Sequence, residues 1–313
     1  MANTYGKVSG TFQEIENAYG KVSGVWQEAD EIYAKVSGTW ELVFAAFTAT
    51  SLTTLSSGSG TFIVPDGANA IHIQASVGGG GGAAGGVSYD KAGGESAGAG
   101  GGSGAYISDK VFTVAEGETI SYSIGGGGAP GNQTPNFGHP KIASAGTNTT
   151  LSGSTTGSIF TLGAGGGASG TGGGVQGPLR TNTAGTAGSA TISGSDITSG
   201  NFRDTDGVTK SVTTLDSGPV GTFDQSGNGV VGGNNGNCSG DNCQIGGSIG
   251  GASYAGNIAG GAGSPQGGST GGTAGTRGSG GGGGGAQYGT ESVTGLGAAG
   301  GNGEVKYRFL RVN

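Results

Sequence analysis

Residues 60–86 read GTFIVPDGANAIHIQASVGGGGGAAGG. They pass from patterned strand to bare glycine with no linker between. Thr61–Val64 predicts a strand, and Pro65-Asp66-Gly67 a turn. Ile71, Ile73 and Ala75 then alternate with polar residues, the two-residue period of a half-buried strand. The same alternation places His72 at the surface. The segment AYISDKVFTVAEGETISYSIGG supplies two more strands around Glu116-Gly117. The closing GEVKYRFLRVN sets Val305, Tyr307 and Phe309 on one face of a last strand. That strand is expected to pair with the opening one, so that the glycine body is framed by the ends of one sheet.

The body is unusual in what it lacks. Of 313 residues 80 are Gly and only 7 Pro, and hydrophobic residues make up 32%. So little apolar side chain is a signature of disorder. Yet charged residues are only 11% and the net charge is −7, so self-repulsion does not swell the chain. Flexible linkers are monotonous Gly/Ser, whereas these tracts, such as Gly78–Gly82, Gly125–Gly128 and Gly280–Gly285, alternate with readable strands. Collagen is excluded by the missing G-X-Y register and the rarity of proline. The alternative is polyglycine II: extended left-handed helices with three residues per turn. Without Cβ atoms these can approach closely and satisfy each other's backbone groups. Ordering glycine is entropically costly, so many such helices must pack at once.

The first 45 residues carry a different pattern. Tyr5, Tyr19 and Tyr33 recur with a period of 14, as do Lys7, Lys21 and Lys35, while Phe12, Trp26 and Trp40 share one aromatic slot. KVSGTW reads as two short strands around a Ser-Gly turn, with Lys7 opposite Phe12 and Tyr5 opposite Glu14. A helical reading competes, because Phe12/Ile15/Tyr19 and Trp26/Ala29/Tyr33 also have helix-like spacing. The repeated KVSG favours hairpins. A lone hairpin is unstable in water, so the repeats are expected to stack or assemble. The fold class is therefore mainly β and irregular. A repeated β-hairpin module (1–45) precedes a Ser/Thr-rich linker (46–60) and a glycine-rich domain (61–313) with framing strands and packed polyglycine II helices.

Irregular inserts interrupt the glycine tracts at 129–141, 175–183, 199–210, 233–244 and 251–260. They hold most of the body's less common side chains: Phe137, His139, Leu179, Arg180, Phe202, Arg203 and Tyr254. Loops on a rigid scaffold are where binding residues concentrate, so these seven are the candidate binding residues.

No catalytic constellation is legible. Gly246, Ser248 and Gly250 match G-x-S-x-G, but glycine is so frequent that such matches arise by chance, and no strand-turn-helix context surrounds them. Gly280/Gly282/Gly285 and Gly295/Gly297/Gly300 satisfy G-x-G-x-x-G by the same dilution. Asp204 and Asp206 resemble the start of a calcium loop that lacks its distal acidic ligands, and read as a turn. His139, in FGHP, reads as a turn residue rather than a metal ligand. Cys238 and Cys243 could form a disulfide, two free thiols or a weak metal site. No enzyme activity, cofactor or metal is expected. Lys and Arg are too sparse and scattered for nucleic acid. MANTYGKVSG lacks the basic start and apolar run of a secretory signal, and no stretch approaches a membrane span.

Taken together, GTFIVPDGANAIHIQASVGGGGGAAGG, AYISDKVFTVAEGETISYSIGGGG and the closing GGGGGAQYG with GAAGGNGEVKYRFLRVN resemble the glycine-rich domains of bacteriophage tail fibres. The YxKVSGTW repeat is similar to segments of phage tail and host-specificity proteins. The resemblance implies a virion tail component at a fibre tip, assembled in the host cytoplasm. Its variable inserts would bind a bacterial surface receptor, either polysaccharide or outer-membrane protein. Tyr5, Phe12, Tyr19, Trp26, Tyr33 and Trp40 would mediate attachment to other virion tail proteins or oligomerisation. The assembly would be a homotrimer, or a monomeric tip on a trimeric fibre. The competing readings are a structural tail or baseplate decoration, a free ice-binding or extracellular protein with a flat polyglycine face, and a polysaccharide depolymerase. The last is disfavoured by the lack of a paired carboxylate site.

Overall fold

The computed structural model describes residues 5–8, 11–14, 19–28, 31–83, 95–96, 98–131, 141–170, 182–233, 237–238, 244–245, 248–254, 258–263, 272–283, 286–287, 293–294 and 296–313. Among them the only helix is a 3-10 turn at Val212–Thr214, and the ordered elements are otherwise antiparallel strands.

The N-terminal repeats are hairpins and not helices. Tyr5–Val8 pairs with Thr11–Glu14, Tyr19–Val22 with Val25–Glu28, and Glu31–Val36 with Thr39–Ala45. The expected register holds in each, with Lys7 opposite Phe12, Lys21 opposite Trp26 and Lys35 opposite Trp40. In the second and third turns both central residues take positive φ, Ser23/Gly24 at 50° and 87° and Ser37/Gly38 at 51° and 91°. That is the mirror-image turn whose twist suits a two-residue hairpin, and it explains why the glycine recurs.

Two five-stranded antiparallel sheets form the ordered base of the glycine-rich domain. The strands are β1 (Thr53–Leu55), β2 (Ser59–Ile63), β3 (Ala70–Val77), β4 (Tyr106–Thr113), β5 (Thr119–Ser123), β6 (Thr149–Gly153), β7 (Gly157–Leu162), β8 (Ala190–Ile192), β9 (Gln225–Gly227) and β10 (Glu304–Leu310). The first sheet has the order β9-β4-β3-β10-β1, the second β8-β7-β6-β5-β2. Ile71, Ile73, Ile107, Phe112, Val305 and Phe309 of the first share one buried cluster with Ile120, Leu151, Phe160 and Leu162 of the second. Phe62 of β2 stitches the two together, stacked on Tyr307 at 4.5 Å between ring centroids and edge-on to Phe309.

Two expectations need correction. The closing strand β10 pairs with β3 and β1, while the opening strand β2 pairs with β5 in the other sheet. And part of the Ser/Thr-rich segment is integral to the fold: Thr53–Leu55 is the edge strand β1, and Thr50 N–H donates to the Phe309 carbonyl at 3.0 Å. The first has a local cause. The Pro65-Asp66-Gly67 turn carries the chain from one sheet to the other instead of folding β2 back onto its neighbour.

Gln74 and Asp109 are skipped in the β3–β4 register, and β3 also slips against β10 at Gln74. Asp109 has φ of 51°. Such an extra residue kinks a strand and reverses its inside–outside alternation. Before it, Ile71 and Ile73 lie in the main core. After it, Ile107 and Val305, both opposite Ser76, occupy the core, while Ala75 and Val77 turn to a separate cluster with Tyr106 and Tyr254.

Eight glycine-rich segments extend from the same end of this sandwich. β3 runs on into 78–83, β5 into 124–131, β7 into 163–168 and β9 into 228–233. The intervening strands β4, β6, β8 and β10 are entered from 98–105, 143–148, 184–189 and 296–303. Bonding along 78–83 has a period of three. Gly78, Gly79 and Gly80 donate to Ala105, Thr147 and Gly301, and Gly81, Gly82 and Ala83 donate to Gly102, Ser144 and Ala298 of the same three neighbours. A β ladder, in contrast, has a period of two and lies in one plane. The tracts are therefore held by main-chain bonds in several directions at once, with almost no side chain between them.

Candidate functional site

The outer face of the first sheet is covered by residues 196–224, a segment that includes the 199–210 insert. Its anchor is Phe202, on a short hairpin of Asn201–Arg203 with Thr209–Ser211. Phe202 is buried against Ala70, Val111, Val212, Leu215 and Leu310. Asp204, Asp206 and Gly207 form the expected turn, with Gly207 N–H donating to the Asp204 carbonyl at 2.9 Å.

Asp204 has a second role. Its carboxylate accepts from Arg308 Nη1 at 2.6 Å and from Lys210 Nζ at 2.5 Å. Burial alone would raise its pKa, but the bonds from Lys210, the Thr205 amide and Arg308 outweigh that and hold it below the usual carboxylate range. Arg308 also lies over the Phe202 ring, 5.4 Å from its centroid, and its Nε donates to His72 Nδ1 at 3.3 Å. His72 Nε2 in turn donates to Asp109 Oδ1 at 3.1 Å. Far from being a surface residue, His72 is fully buried. Burial pushes its pKa down, against the pull of Asp109, and the Arg308 charge adds to the lowering. The His–Asp pair has the geometry of a base and its orienting carboxylate. With both groups sealed from solvent and Arg308 capping the other nitrogen, it works as a clamp between sheet and insert. A parallel clamp joins Lys110 to Asp196, at 2.8 Å, and to Asp224.

On the flank of the same sheet lies a cleft of about 350 Å³ lined by residues of β1, β3 and β10, by Ser217–Pro219, and by Ile258 and Arg277. Gln74 Nε2 donates to Ser217 Oγ at 2.7 Å across it. Glu304 accepts from Tyr254 Oη at 3.0 Å and lies 3.9 Å from Arg277 Nε. Burial, then the Glu304 carboxylate, pushes the Tyr254 hydroxyl well above its usual range, so it stays protonated as a donor.

The seven insert residues have different fates. Phe137, His139, Leu179 and Arg180 lie outside the described residues. Phe202 and Tyr254 are fully buried and belong to the core, which corrects their reading as ligand-facing loop residues. Arg203 is half-buried on the same hairpin as Phe202. In the repeats, Tyr33 and Trp40 are exposed, at 49% and 67%. The backbones of Tyr5, Phe12, Tyr19 and Trp26 occupy hairpin positions equivalent to each other in pairs. Cys243 is outside the described residues, and Cys238 pairs through its backbone with Glu95. Ser248 is buried, with its hydroxyl unpartnered among the described residues, while His72 is committed to Asp109 and Arg308. Among the described residues no three His, Cys, Asp or Glu side chains are grouped to hold a metal ion.

Sequence reasoning missed both the clamp and the cleft. One signal was present: Glu304, Lys306 and Arg308 alternate with the core residues of β10. Such a row of charges on one face of a partly buried strand calls for partners opposite. A search of curated proteins finds no match to the chain. A family model described as a glycine-rich domain matches residues 53–310, from edge strand β1 to the last residue of β10. The chain belongs to that glycine-rich domain family.

Proposed function

We propose that this chain is a receptor-binding protein of a bacteriophage tail fibre or tail tip, and that its glycine tracts are polyglycine II helices forming the mount for its loops. The observation that carries this reading is the common direction of the tracts. The places where the tracts give way to the 129–141, 175–183 and 233–244 inserts, near Gly131, Asn182 and Gly233, lie at the end of the glycine lattice away from the sandwich. The three-residue bonding period supports the helix assignment. A mount stabilised through the main chain lets loop sequence change at little cost to the scaffold, which suits a protein that must follow a changing host surface.

In this reading Phe137, His139, Leu179 and Arg180 contact a bacterial polysaccharide or outer-membrane protein. Phe202 and Tyr254 hold the base together. The exposed Trp40 and Tyr33, with Tyr5, Phe12, Tyr19 and Trp26, dock the chain on other tail proteins or on further copies in a trimer. The protein acts in the virion tail by binding, with no chemical step.

The test is binding of the fluorescently labelled chain to a panel of bacterial cells. Binding to a restricted set of strains is expected, with loss when the distal inserts 129–141, 175–183 and 233–244 are scrambled and the clamp-bearing 199–210 insert is retained. Binding that survives the scrambling contradicts the reading.

A further inference from the structure

The cleft on the flank of the first sheet is separate from the insert junctions, and its side chains are not accounted for by folding alone. Of its charged groups, Glu304 is already engaged, hydrogen-bonded by Tyr254 Oη through one oxygen and held in a looser ion pair, 3.9 Å from Arg277 Nε, through the other. Lys306 is not. It is half-buried, sits opposite Thr54 on one side and Ala75 on the other, and has no hydrogen-bonding or ionic partner among the described residues. The cleft therefore carries one uncompensated positive charge. Gln74 and Ser217 bond each other through one donor only. Among the described residues the Gln74 amide oxygen and the Ser217 hydroxyl proton have no further partner, leaving one acceptor and one donor. Ala75, Pro219 and Ile258 supply an apolar flank.

The walls are also fixed in place. Gln74 is the residue skipped at the β3 kink. Gly218 N–H donates to Asp109 Oδ2 at 2.6 Å, so the Ser217–Pro219 wall is tied to the buried His72–Asp109 pair. Preorganised polar groups lose little on binding a ligand that matches them.

From this geometry we infer that the cleft is a second binding site, for a saccharide bearing a single carboxylate, of the uronic acid class. The carboxylate pairs with Lys306. Ring hydroxyls meet Gln74, Ser217 and Thr54, and the C–H face of the ring rests on Pro219 and Ile258. The size, about 350 Å³, is at the small end of ligand sites, which run from about 300 to 1,000 Å³. Among the described residues no aromatic ring lines the cleft to stack a nucleobase, and one unpaired cation matches a monoanion better than a polyphosphate.

Titration of the full chain with methyl galacturonoside, a single sugar bearing one carboxylate, followed by calorimetry, tests this. Saturable binding is expected, at least about tenfold tighter than for the neutral methyl galactoside and weakened by added salt as an ion pair exposed to solvent requires. Lys306→Met should reduce affinity at least about tenfold. Ser217→Trp, at an exposed position, should block the cleft, with an unchanged melting temperature confirming the fold. Absence of saturable binding overturns the inference, as does equal affinity of the parent and both variants. Inorganic phosphate that binds as tightly as methyl galacturonoside would also overturn it, reducing the cleft to a simple anion site. Cell binding through the distal inserts is unaffected by any of these outcomes, so this inference and the receptor-binding proposal fail separately.

Discussion

Gly101 donates its amide to the Gly281 carbonyl at 3.0 Å across 180 residues of sequence. Gly281 donates to Gly81 at 3.0 Å, and Gly81 to Gly102 at 2.8 Å, closing a ring through three tracts. Each such bond contributes only about 1 kcal/mol net, close to the backbone entropy of about 1–2 kcal/mol lost per residue ordered. The lattice is stable only collectively, and only where chains approach without a side chain between them.

Glycine should therefore be required site by site and not tract by tract. A Cβ on Gly101 would overlap the Gly81 carbonyl oxygen, whereas at Gly126 the nearest atom is the Thr147 hydroxyl oxygen, 3.8 Å away. Gly101→Ala is expected to cost about 3 kcal/mol or more, at the upper end for forced overpacking. Gly126→Ala should stay within about 1 kcal/mol of the parent. Urea unfolding of the two variants measures the difference, and equal effects would show that close approach is not what glycine supplies.

Glu118 tests how the strand turns are held. Its carboxylate accepts from the Ala115 amide at 2.8 Å, the Thr155 and Thr156 amides at 3.0 Å each, and the Thr156 hydroxyl at 2.5 Å. Burial pushes its pKa up, but these bonds, led by Thr156, win and hold it below the ordinary 4.5. Its contribution is full above that value and is lost as pH falls through the lower, folded one. Glu118→Ala strands several donors and should cost about 3 kcal/mol, with a flatter acid limb in the stability profile. A variant as stable as the parent at pH 7 refutes this assignment.

His72 gives a second titration at higher pH. The groups facing it are Asp109, Arg308 and Asp204. Its Nδ1 must be unprotonated to accept from Arg308. Because its folded pKa lies below 6.5, the unfolded chain takes up the proton first. Stability is then full above pH 6.5 and declines below it until the folded pKa is passed. Denaturant midpoints from pH 7.5 to 5 should fall for the parent and stay flat for His72→Asn. The carboxylate effects of Glu118 and Asp204 begin only below that window. A parent profile without slope would contradict the clamp.

How much of this was legible depended on the distance between partners. The hairpins of residues 5–45 were readable because the turn and both strands lie within a few residues, so KVSG sets the register of Lys7 and Phe12 by itself. Five strands of the base, β2, β3, β4, β5 and β10, were readable from their pattern, whereas β1, β6, β7, β8 and β9 were not. Their partners were not: nothing local tells β10 to choose β3 and β1 over β2, or marks Gln74 and Asp109 as the residues where the alternation reverses. Phe202 and Tyr254 lie in stretches with loop composition, and composition does not reveal what a loop covers. The glycine tracts are the extreme case. Each has the same sequence pattern, so no residue encodes that Gly80 meets Gly301 and Gly81 meets Gly102. The strands set that pairing by where they deliver each tract.

The central claim is that main-chain bonding makes the glycine tracts a rigid continuation of the sandwich. Amide hydrogen exchange on the intact chain tests it most directly, at Gly80, Gly81, Gly101, Gly166 and Gly281, each of which donates its amide to another tract. The account predicts protection at these amides comparable to that of Ile73 and Phe309 in the sheet core. Exchange at the rate of an unstructured chain in the tracts, while Ile73 and Phe309 remain protected, would contradict it.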